Sequence, residues 1–480
     1  MRDQIRTRVF AAADQARFAQ LSGDANPMHV DPVLARRTPA GAPVAHGVHA
    51  ALWALDALLA ERRIAGPIAS LAARFSKFVY AGAETALFVV RQTPSSVRAE
   101  LEADGMTAVR LDVQLADGVA DAVPPLSARD VAVPAQPAVH EFNALRSCAG
   151  VLPRLASEPA ALMFPHAAEH LGAARVASIV QLSALVGMVC PGLRAIFGGM
   201  DVRVAREAPG SERVSFAVTN ADERVRMLTI AIAGGGIAGE LTAFARQPAA
   251  ELDLAGVARQ VRPGEFAGTT ALIVGGSRGL GATTARAIAA GGGRVVITYM
   301  HGERDARAIA NELGPACCGV LQYDARAPAA PQLAALEPDV SQLYYFATPH
   351  IFRQKAGWWE PGRFAEFCAV YVDGFASTCT ALRERSGALT AFYPSSVAVG
   401  ERPRDMTEYS LAKAAGEMLC ADMNRFEPGI GVVVKRLPRI ATDQTATLLA
   451  VPAADALETM LPIVRELHAL AGQPRRGRAE

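Results

Sequence analysis

The chain contains very little lysine. Of its 48 lysine and arginine residues only four are lysines, at positions 77, 355, 413 and 435, and arginine supplies the rest. The 47 acidic residues nearly cancel this charge and leave a formal net charge of +1. Such a balance lacks the basic excess that is typical of proteins that bind nucleic acid or an anionic membrane surface. We therefore expect small molecules or proteins as partners, and no nucleic acid.

The sequence also lacks paired cysteines and a long apolar run. Its seven cysteines are scattered without CxxC pairs or zinc spacing, and their number is odd. The longest apolar run, 176–190, is shorter than the roughly 20 residues that span a bilayer, and it favours a buried helix. The charged N-terminus has no apolar stretch behind it, so no secretory signal is expected. These features predict a reduced, cytoplasmic protein without a membrane span.

The first part of the chain has an α+β pattern. At 480 residues, with 51% hydrophobic composition, the chain is long enough for two to four domains. A helix is predicted over about residues 44–61, and a proline-rich stretch at 124–137 ends the unit. Between them lie strand-like runs near residues 70–79, 86–91, 97–103 and 108–115.

Residues 175–244 repeat this layout. A helix predicted over 175–189 precedes strand-like runs at 195–204, 214–219, 224–233 and 237–244. The two halves share layout far more than identity, and the second half has no counterpart of the polar loop at 22–32. We therefore expect the second half to be a structural partner of the first. An independent catalytic unit is the alternative.

The last third alternates strands and helices. A polar connector at about 247–265 leads into a strand at 270–274, a glycine turn and a helix at 282–290. This alternation predicts a parallel, doubly wound α/β sheet. Its further strands are expected at residues 295–298, 319–323, 342–346 and 389–393.

Residues 22–32, SGDANPMHVDP, combine a carboxylate and an imidazole in one loop. Asp24 and His29 are five positions apart, and Gly23, Asn26 and Pro27 favour a fixed turn around them. Removing water next to a thioester needs one group for the acidic α-proton and another that delivers a proton to the departing hydroxyl. A carboxylate and an imidazole that share one water supply both. Asp24 and His29 are therefore the predicted acid/base pair.

The dipeptide His46-Gly47 opens the predicted long helix. The first N–H groups of a helix have no intrahelical acceptor, so the Gly47 amide can polarise a thioester oxygen as enolate charge develops. Taken singly, these residues have simpler interpretations: Ser22 and Asp24 as turn caps, His29 as a core histidine and Gly47 as a packing glycine. Their combination in one string is more specific than any of them alone.

Together these residues resemble the MaoC-like (R)-specific enoyl hydratase family over about residues 10–115. The family loop reads SGD-x-NP-x-H-x-DP, with HG at the head of the following helix, and every one of these positions is present here. The resemblance implies a hotdog fold with Asp24 and His29 as the catalytic dyad and the Gly47 amide as the donor to the carbonyl. It also implies that the second half completes a double hotdog.

Metal binding is not predicted. His166 and His170 are four positions apart and share a predicted helical face, but the sequence offers no third ligand beside them.

The segment GGSRGLG at 275–281 has the context of a dinucleotide-binding turn. Gly275, Gly279 and Gly281 follow an apolar strand and open a helix, which lets the backbone approach a pyrophosphate at the helix N-terminus. Without this context the glycines are a weak signal.

A hydride-transfer site needs a proton donor beside the carbonyl. Tyr409 supplies a phenolic proton if Lys413, one helical turn later, lowers its pKa and binds the nicotinamide ribose. Ser396, at the end of a predicted strand, is placed to bind the substrate oxygen. With eight tyrosines and only four lysines in the chain, a chance Tyr-x-x-x-Lys is uncommon. A solvated helix pair is the alternative.

These residues resemble the short-chain dehydrogenase/reductase family over about residues 266–445. The resemblance implies a Rossmann domain that forms a homodimer, with Ser396, Tyr409 and Lys413 as catalytic residues. It assigns the cofactor to Tyr409 and Lys413 together with Gly275, Ser277, Arg278, Gly279, Gly281, Asp324, Ile440 and Thr442. Because TYMHGER after the second strand lacks an acidic residue for the ribose 2′-hydroxyl, and Arg278 lies in the turn, NADP(H) is favoured over NAD(H).

Three features depart from this family. The chain has Phe346-Ala347-Thr348 where the family usually has Asn-Ala-Gly, and Tyr371 where it has the asparagine of a proton relay. The final strand and its paired glycines are missing. These departures affect the relay, the substrate lid and the tetramer contacts, and leave the three catalytic residues in place.

The predicted fold class is an α+β double hotdog followed by an α/β Rossmann domain. Its predicted boundaries are 1–135, 140–247 for the non-catalytic hotdog, 248–265 for a linker and 266–480. The predicted function is NADPH-dependent reduction of a 3-oxoacyl thioester on acyl carrier protein or coenzyme A, followed by dehydration to the 2-enoyl thioester. One alternative is the degradative direction, hydration followed by NAD-linked oxidation. Another is an active hydratase beside a catalytically silent, nucleotide-binding scaffold.

Overall fold

A computed structural model of the chain shows two compact units, one up to residue 247 and one from residue 252 onward. The residues that it describes are 2–116, 120–121, 124, 126, 128–206, 211–247, 252–337, 339–351, 357–440 and 453–471.

The first unit is built on one antiparallel sheet. Its ten strands lie in the order β1-β3-β4-β5-β2-β7-β10-β9-β8-β6, so that β2 and β7 join the two halves of the repeat. Ser70 pairs with Arg203 and Arg74 with Gly199 across this junction. The strands are β1 Asp3–Val9, β2 Ile68–Phe75, β3 Glu84–Thr93, β4 Ser96–Ala103, β5 Met106–Leu115, β6 Ala149–Val151, β7 Ala195–Val204, β8 Ser215–Asp222, β9 Met227–Gly234 and β10 Ile237–Ala245.

Two central helices cover this sheet, and they lie against each other. The first is buried along nearly its whole length, from Val48 to Leu58, and the second from Val176 to Val189. The helices of this unit are α1 Ala12–Ser22, α2 Pro27–Val30, α3 Gly47–Ala60, α4 Phe142–Leu145, α5 Ser157–Met163, α6 Pro165–Leu171 and α7 Ala173–Ala184, with a 3-10 turn at Ala35–Arg37 and a π-turn at Leu185–Val189 that continues α7.

A single apolar core spans both halves of the first unit. Leu52 and Leu55 of α3, Leu182 of α7 and strand residues such as Leu111 and Leu241 are fully buried in it. An antiparallel sheet wrapped on two central helices is the predicted double-hotdog arrangement. The sequence did not predict β1 or α1, which precede the loop at residues 22–32.

The second unit is a parallel sheet between helices. Its strand order, β13-β12-β11-β14-β15-β16, is the 3-2-1-4-5-6 order of the Rossmann fold, so the predicted α/β class is confirmed. The strands are β11 Thr270–Val274, β12 Arg294–Tyr299, β13 Cys317–Gln322, β14 Gln342–Tyr345, β15 Leu389–Ser396 and β16 Ile430–Leu437. Within the described ranges no seventh strand follows β16.

The helices of the second unit alternate with these strands. They are α8 Leu254–Ala258, α9 Gly279–Ala290, α10 Glu303–Leu313, α11 Ala329–Leu333, α12 Pro361–Cys368, α13 Phe375–Ser386, α14 Ala398–Glu401, α15 Thr407–Phe426 and α16 Ala456–Ala471. Short 3-10 turns lie at Gly314–Ala316 and Arg404–Met406, and a π-turn at Ala369–Gly374 joins α12 to α13.

No single helix among the described residues has the length and hydropathy of a membrane span. The bent pair Pro165–Leu171 and Ala173–Val189 meets both requirements only when its two helices, 118° apart, are taken together.

Candidate active sites

The loop that follows α1 brings Asp24 into the interior of the first unit. Gly23 ends α1 in the left-handed region, with φ of 79°, and its N–H donates to Ala19 O at 2.9 Å. The Ser22 hydroxyl donates to Phe18 O, and its oxygen accepts the Asp24 N–H at 3.1 Å. This turn leaves Asp24 only 2% exposed.

Asn26 fixes the other side of the loop. Its side-chain oxygen caps α2 by accepting the Met28 N–H at 3.1 Å. Its amide group donates to Gly187 O at 2.8 Å, in the π-turn of the second half. The buried loop is therefore tied to both halves of the double hotdog.

His29, on α2, has a defined tautomer. Its Nδ1 lies 2.8 Å from Val44 O, and a carbonyl oxygen only accepts, so Nδ1 carries the proton. Nε2 is therefore the ring nitrogen that is placed to act as a base. The ring stacks on His46 with centroids 3.8 Å apart.

Asp24, His29 and His46 form one cluster. A carboxylate oxygen and one nitrogen from each ring lie within 4.8 Å of one another. The structure thus brings together the two residues that the sequence pairs as acid and base, close enough to share one water. One carboxylate and two imidazoles are also groups that can bind a divalent metal. That this protein binds no metal therefore remains a prediction.

His46 anchors the cluster, a role that the sequence alone did not indicate. It is fully buried, and its Nδ1 lies 2.9 Å from Gln15 Oε1 while its Nε2 lies 3.0 Å from Asp24 O. Burial lowers the pKa of His46 well below 6.5, so the neutral ring has one N–H for these two acceptors. Gln15 also accepts the His46 backbone N–H at 3.0 Å, which fixes the start of α3.

Gly47 is the first residue of α3, as predicted. Its N–H is one of those that an α-helix leaves without an intrahelical acceptor. A Cβ atom at this position would lie 3.0 Å from the Phe75 ring, so a larger residue would have to displace that ring.

The second half contributes to this site, which the sequence analysis did not predict. The Ser183 hydroxyl of α7 donates to Asp24 Oδ2 at 2.6 Å. A Cβ atom on Gly187 would lie 2.3 Å from Asp24 Oδ1, so only glycine leaves room for the carboxylate. Burial raises the pKa of Asp24, and the bond from Ser183 opposes part of this effect. Both residues lie in an apolar run, where nothing in the sequence distinguishes them from core residues.

His166 and His170 do not form a metal site with the described residues. His170 Nε2 lies 2.9 Å from Gly66 O, and neither histidine belongs to the cluster of possible ligands described above.

The glycine turn of the second unit lies where the strand order of the sheet reverses. Gly275 has φ of 80°, and a Cβ there would lie 3.1 Å from the Phe346 carbonyl after β14. A Cβ on Gly281 would lie 2.3 Å from Gly275 O, so helix α9 approaches the turn only with glycine. Ser277 is buried, and Arg278 and Gly279 begin the helix. This cradle has the shape that a dinucleotide phosphate needs.

Ser396, Tyr409 and Lys413 lie together at the end of β15 and the start of α15. Burial raises the pKa of Tyr409, and the neighbouring Ser396 side chain opposes part of this effect. The Lys413 ammonium donates to Pro394 O at 2.6 Å and lies 5.9 Å from the centre of the Tyr409 ring. Burial lowers the pKa of Lys413 to about 7.

Tyr371 packs against this lysine. The Lys413 Nζ lies 3.7 Å from the centre of the Tyr371 ring, within cation–π range. The Tyr371 hydroxyl is 2.5 Å from the Thr348 hydroxyl. Thr348 and Tyr371, two positions at which the sequence departs from the pattern that it resembles, thus contact each other beside Lys413.

The structure describes two of the three remaining positions that the sequence predicts to contact a cofactor. Asp324 follows β13, and its carboxylate is paired with Arg326 at 2.9 Å, which lowers the pKa of Asp324. Ile440 is buried and forms a parallel bridge with Ala454. Thr442 lies outside the described residues.

Comparison with known proteins identifies the N-terminal part. Residues 2–110 match the family model of the MaoC like domain. The 3-hydroxyacyl-thioester dehydratase Y of Mycobacterium tuberculosis is 37% identical over 114 residues, 23% of this chain and 39% of that protein. The match therefore spans less than half of this relative.

Solved structures of short chain dehydrogenases are similar to part of the chain. One from Pseudomonas syringae is 19% identical, with a TM-score of 0.38, and covers 43% of this chain and 92% of its own. A gluconate 5-dehydrogenase from Burkholderia cenocepacia, in complex with NADP and tartrate, is 20% identical with the same TM-score and the same coverage. The Rossmann assignment rests on the strand order of the sheet. The family match and the antiparallel sheet identify residues 2–110 as a MaoC-like domain.

Proposed function

We propose that this chain is a bifunctional acyl-thioester enzyme. Its Rossmann unit reduces a 3-oxoacyl thioester to the (R)-3-hydroxyacyl thioester, and its double hotdog removes water to give the trans-2-enoyl thioester. The observation that carries the proposal is the cluster of buried Asp24 and half-buried His29 inside a MaoC-like domain. In the second unit, the glycine turn after β11 and the set of Ser396, Tyr409 and Lys413 at β15 and α15 support the reductase step.

In dehydration, His29 Nε2 takes the proton from C2 of the substrate, and Asp24 delivers a proton to the hydroxyl on C3. The C2–H and C3–O bonds break, the C2–C3 double bond forms and water leaves. Burial favours the protonated form of Asp24, which suits it to act as the acid. The Gly47 N–H stabilises negative charge on the thioester oxygen during this step.

In reduction, the Tyr409 hydroxyl protonates the oxygen of the 3-oxo group, and Ser396 holds that oxygen by a hydrogen bond. NADPH, when bound, supplies the hydride. The glycine turn and the N-terminus of α9 hold its phosphates, while Lys413 binds the nicotinamide ribose. Asp324, Ile440 and Thr442 complete the proposed cofactor contacts.

The preference for NADP(H) rests on charge. Met300 and His301, after β12, replace the acidic residue that binds a ribose 2′-hydroxyl, and Arg278 begins α9. These residues suit a 2′-phosphate. A biosynthetic direction follows from this preference, and hydration followed by oxidation is the reverse use of the same sites.

The carrier of the acyl chain is proposed as acyl carrier protein or coenzyme A. We also propose a homodimer through the Rossmann unit, because Leu411 and Met418, seven residues apart on α15, are 36% and 73% exposed.

The proposed domains are 1–135, 140–247 and 266–480, and residues 248–265 form the proposed linker before the last of them. A cytoplasmic location stays a prediction.

A silent Rossmann unit is the second candidate function. It is favoured by Tyr371, which stands where the resembled family has the relay asparagine and packs its ring against Lys413. In that case the second unit binds nucleotide without turnover, and the double hotdog alone is active.

Two assays separate these possibilities. Asp24→Asn should abolish hydration of a crotonyl thioester, by about 1000-fold or more, and leave oxidation of NADPH with a 3-oxoacyl thioester unchanged. If hydration survives, the dyad assignment is wrong. If the unmodified protein binds NADPH but oxidises none with 3-oxoacyl thioesters of several chain lengths on both carriers, the silent scaffold is correct.

A further inference from the structure

The second hotdog half packs its central helix against the Asp24 carboxylate. Ser183, in the last turn of α7, is buried and donates to Asp24 Oδ2 at 2.6 Å. We propose that Ser183 is a positioning residue of the dehydratase, which orients the Asp24 carboxylate toward the reacting water. The inference rests on the proposed function. It also changes the role of the second half, which is then a part of the active site.

The direction of the Ser183 side chain is specific. A serine inside a helix commonly donates to the carbonyl four residues earlier, as Ser178 does to Ala174 O at 3.1 Å in the same helix. The hydroxyl of Ser183 instead donates to a carboxylate 159 positions away in sequence. A short bond from a buried hydroxyl to a buried carboxylate is charge-assisted and directional.

The backbone just after Ser183 also packs closely against the Asp24 carboxylate. The π-turn at Leu185–Val189 places Gly187 against the carboxylate, where a Cβ would lie 2.3 Å from Oδ1. The Gly187 carbonyl accepts the Asn26 side-chain amide at 2.8 Å. The Asp24 carboxylate is thus fixed by Ser183 on one oxygen and by the Asn26 N–H, at 3.2 Å, on the other.

Ser183 also sets the acidity of the site. Its hydroxyl donates to the ionised form of Asp24, which lowers the pKa of this carboxyl, whereas burial raises it. In the hydration direction Asp24 must be ionised to take the proton of the attacking water. Removal of the hydroxyl therefore raises the pKa of Asp24 and moves the acid limb of the hydration rate to higher pH.

The test is hydration of a crotonyl thioester by the full-length chain. For Ser183→Ala we expect kcat to fall about 10- to 100-fold, the range of a lost hydrogen bond to a charged group, with KM little changed. The acid limb of the kcat/KM profile should move to higher pH. Ser183→Thr, which keeps the hydroxyl, should recover most of the rate.

Ser178→Ala is the matched control, because it removes a buried hydroxyl from the same helix that donates only to backbone carbonyls. It should change neither kcat nor the pH profile. Thermal unfolding of each variant separates misfolding from loss of the bond. If Ser183→Ala unfolds at the temperature of the unmodified chain and keeps both its rate and its acid limb, the positioning role is wrong.

Asp24→Asn, measured alongside, distinguishes failure of this inference from failure of the proposed function. If Asp24→Asn is inactive and Ser183→Ala is unaffected, only the role of Ser183 is wrong. If Asp24→Asn retains hydration, the proposed dyad itself is wrong.

Discussion

Gly187→Ala perturbs the dehydratase site by a single methyl group. The added Cβ would lie 2.3 Å from Asp24 Oδ1 and 2.7 Å from Cγ and Oδ2, well inside the 3.4 Å at which ordinary contact begins. The carboxylate must therefore move by about 1 Å, a displacement that can cost on the order of 100-fold in rate. Alanine itself favours a helix over glycine by about 1 kcal/mol, so the backbone alone gives no reason for a loss.

The assay is hydration of a crotonyl thioester, with thermal unfolding as the measure of packing. We expect kcat/KM to fall about 100-fold, and stability to change by about 1–3 kcal/mol at most. Gly66→Ala is the control, because its Cβ would lie 3.9 Å from Leu115 Cδ1, an ordinary contact. A folded Gly187→Ala variant with a rate within threefold of the unmodified chain refutes the described position of the carboxylate.

Three further predictions follow from burial and charge. Asp24→Asn should raise the melting temperature at pH 7.5, because burial disfavours the charged carboxylate. This gain should vanish at acidic pH, where Asp24 is protonated. Scanning calorimetry at both pH values measures the two melting temperatures. Tyr371→Phe should keep the ring under Lys413 and preserve the rate of NADPH oxidation, whereas Tyr371→Leu should lower that rate several-fold. The same oxidation should slow as pH rises through about 7, because Lys413 loses its proton there; a pH-rate profile that stays flat to pH 9 contradicts this.

The local patterns were sufficient for most of the fold. Strand β11 has the predicted bounds, Thr270–Val274, because a continuous apolar run before a glycine turn has a clear signal. Strand β1 was missed because it has little apolar patterning: Asp3–Val9 is largely exposed, and it forms the edge of the sheet. Its pairing with β3 is a tertiary contact that no local pattern encodes.

The residues of the candidate sites likewise include some that a local motif predicts and some that only the folded structure brings together. Asp24 and His29 are five positions apart in one loop, so a local motif is enough to pair them. Ser183 and Gln15 reach the cluster from helices that only the folded core brings to it. Each is a single polar residue on a buried helical face, which sequence alone does not separate from a core residue with a satisfied hydrogen bond.

The contact between Lys413 and Tyr371 was likewise beyond the sequence. Tyr371 is visible in the sequence as a departure from the pattern that the chain resembles, but the position of its ring beneath the ammonium depends on the π-turn at Ala369–Gly374. The proximity of these side chains therefore became apparent only in the folded unit.

In the proposed function one chain carries two consecutive steps. The most direct measurement is product analysis by mass spectrometry after incubation of a 3-oxoacyl thioester with NADPH and the full-length protein. We expect a trans-2-enoyl thioester in equilibrium with the 3-hydroxyacyl thioester, and only the 3-hydroxyacyl product with Asp24→Asn. Unchanged 3-oxoacyl substrate contradicts the reductase step, and a 3-hydroxyacyl product without any enoyl product contradicts the dehydratase step.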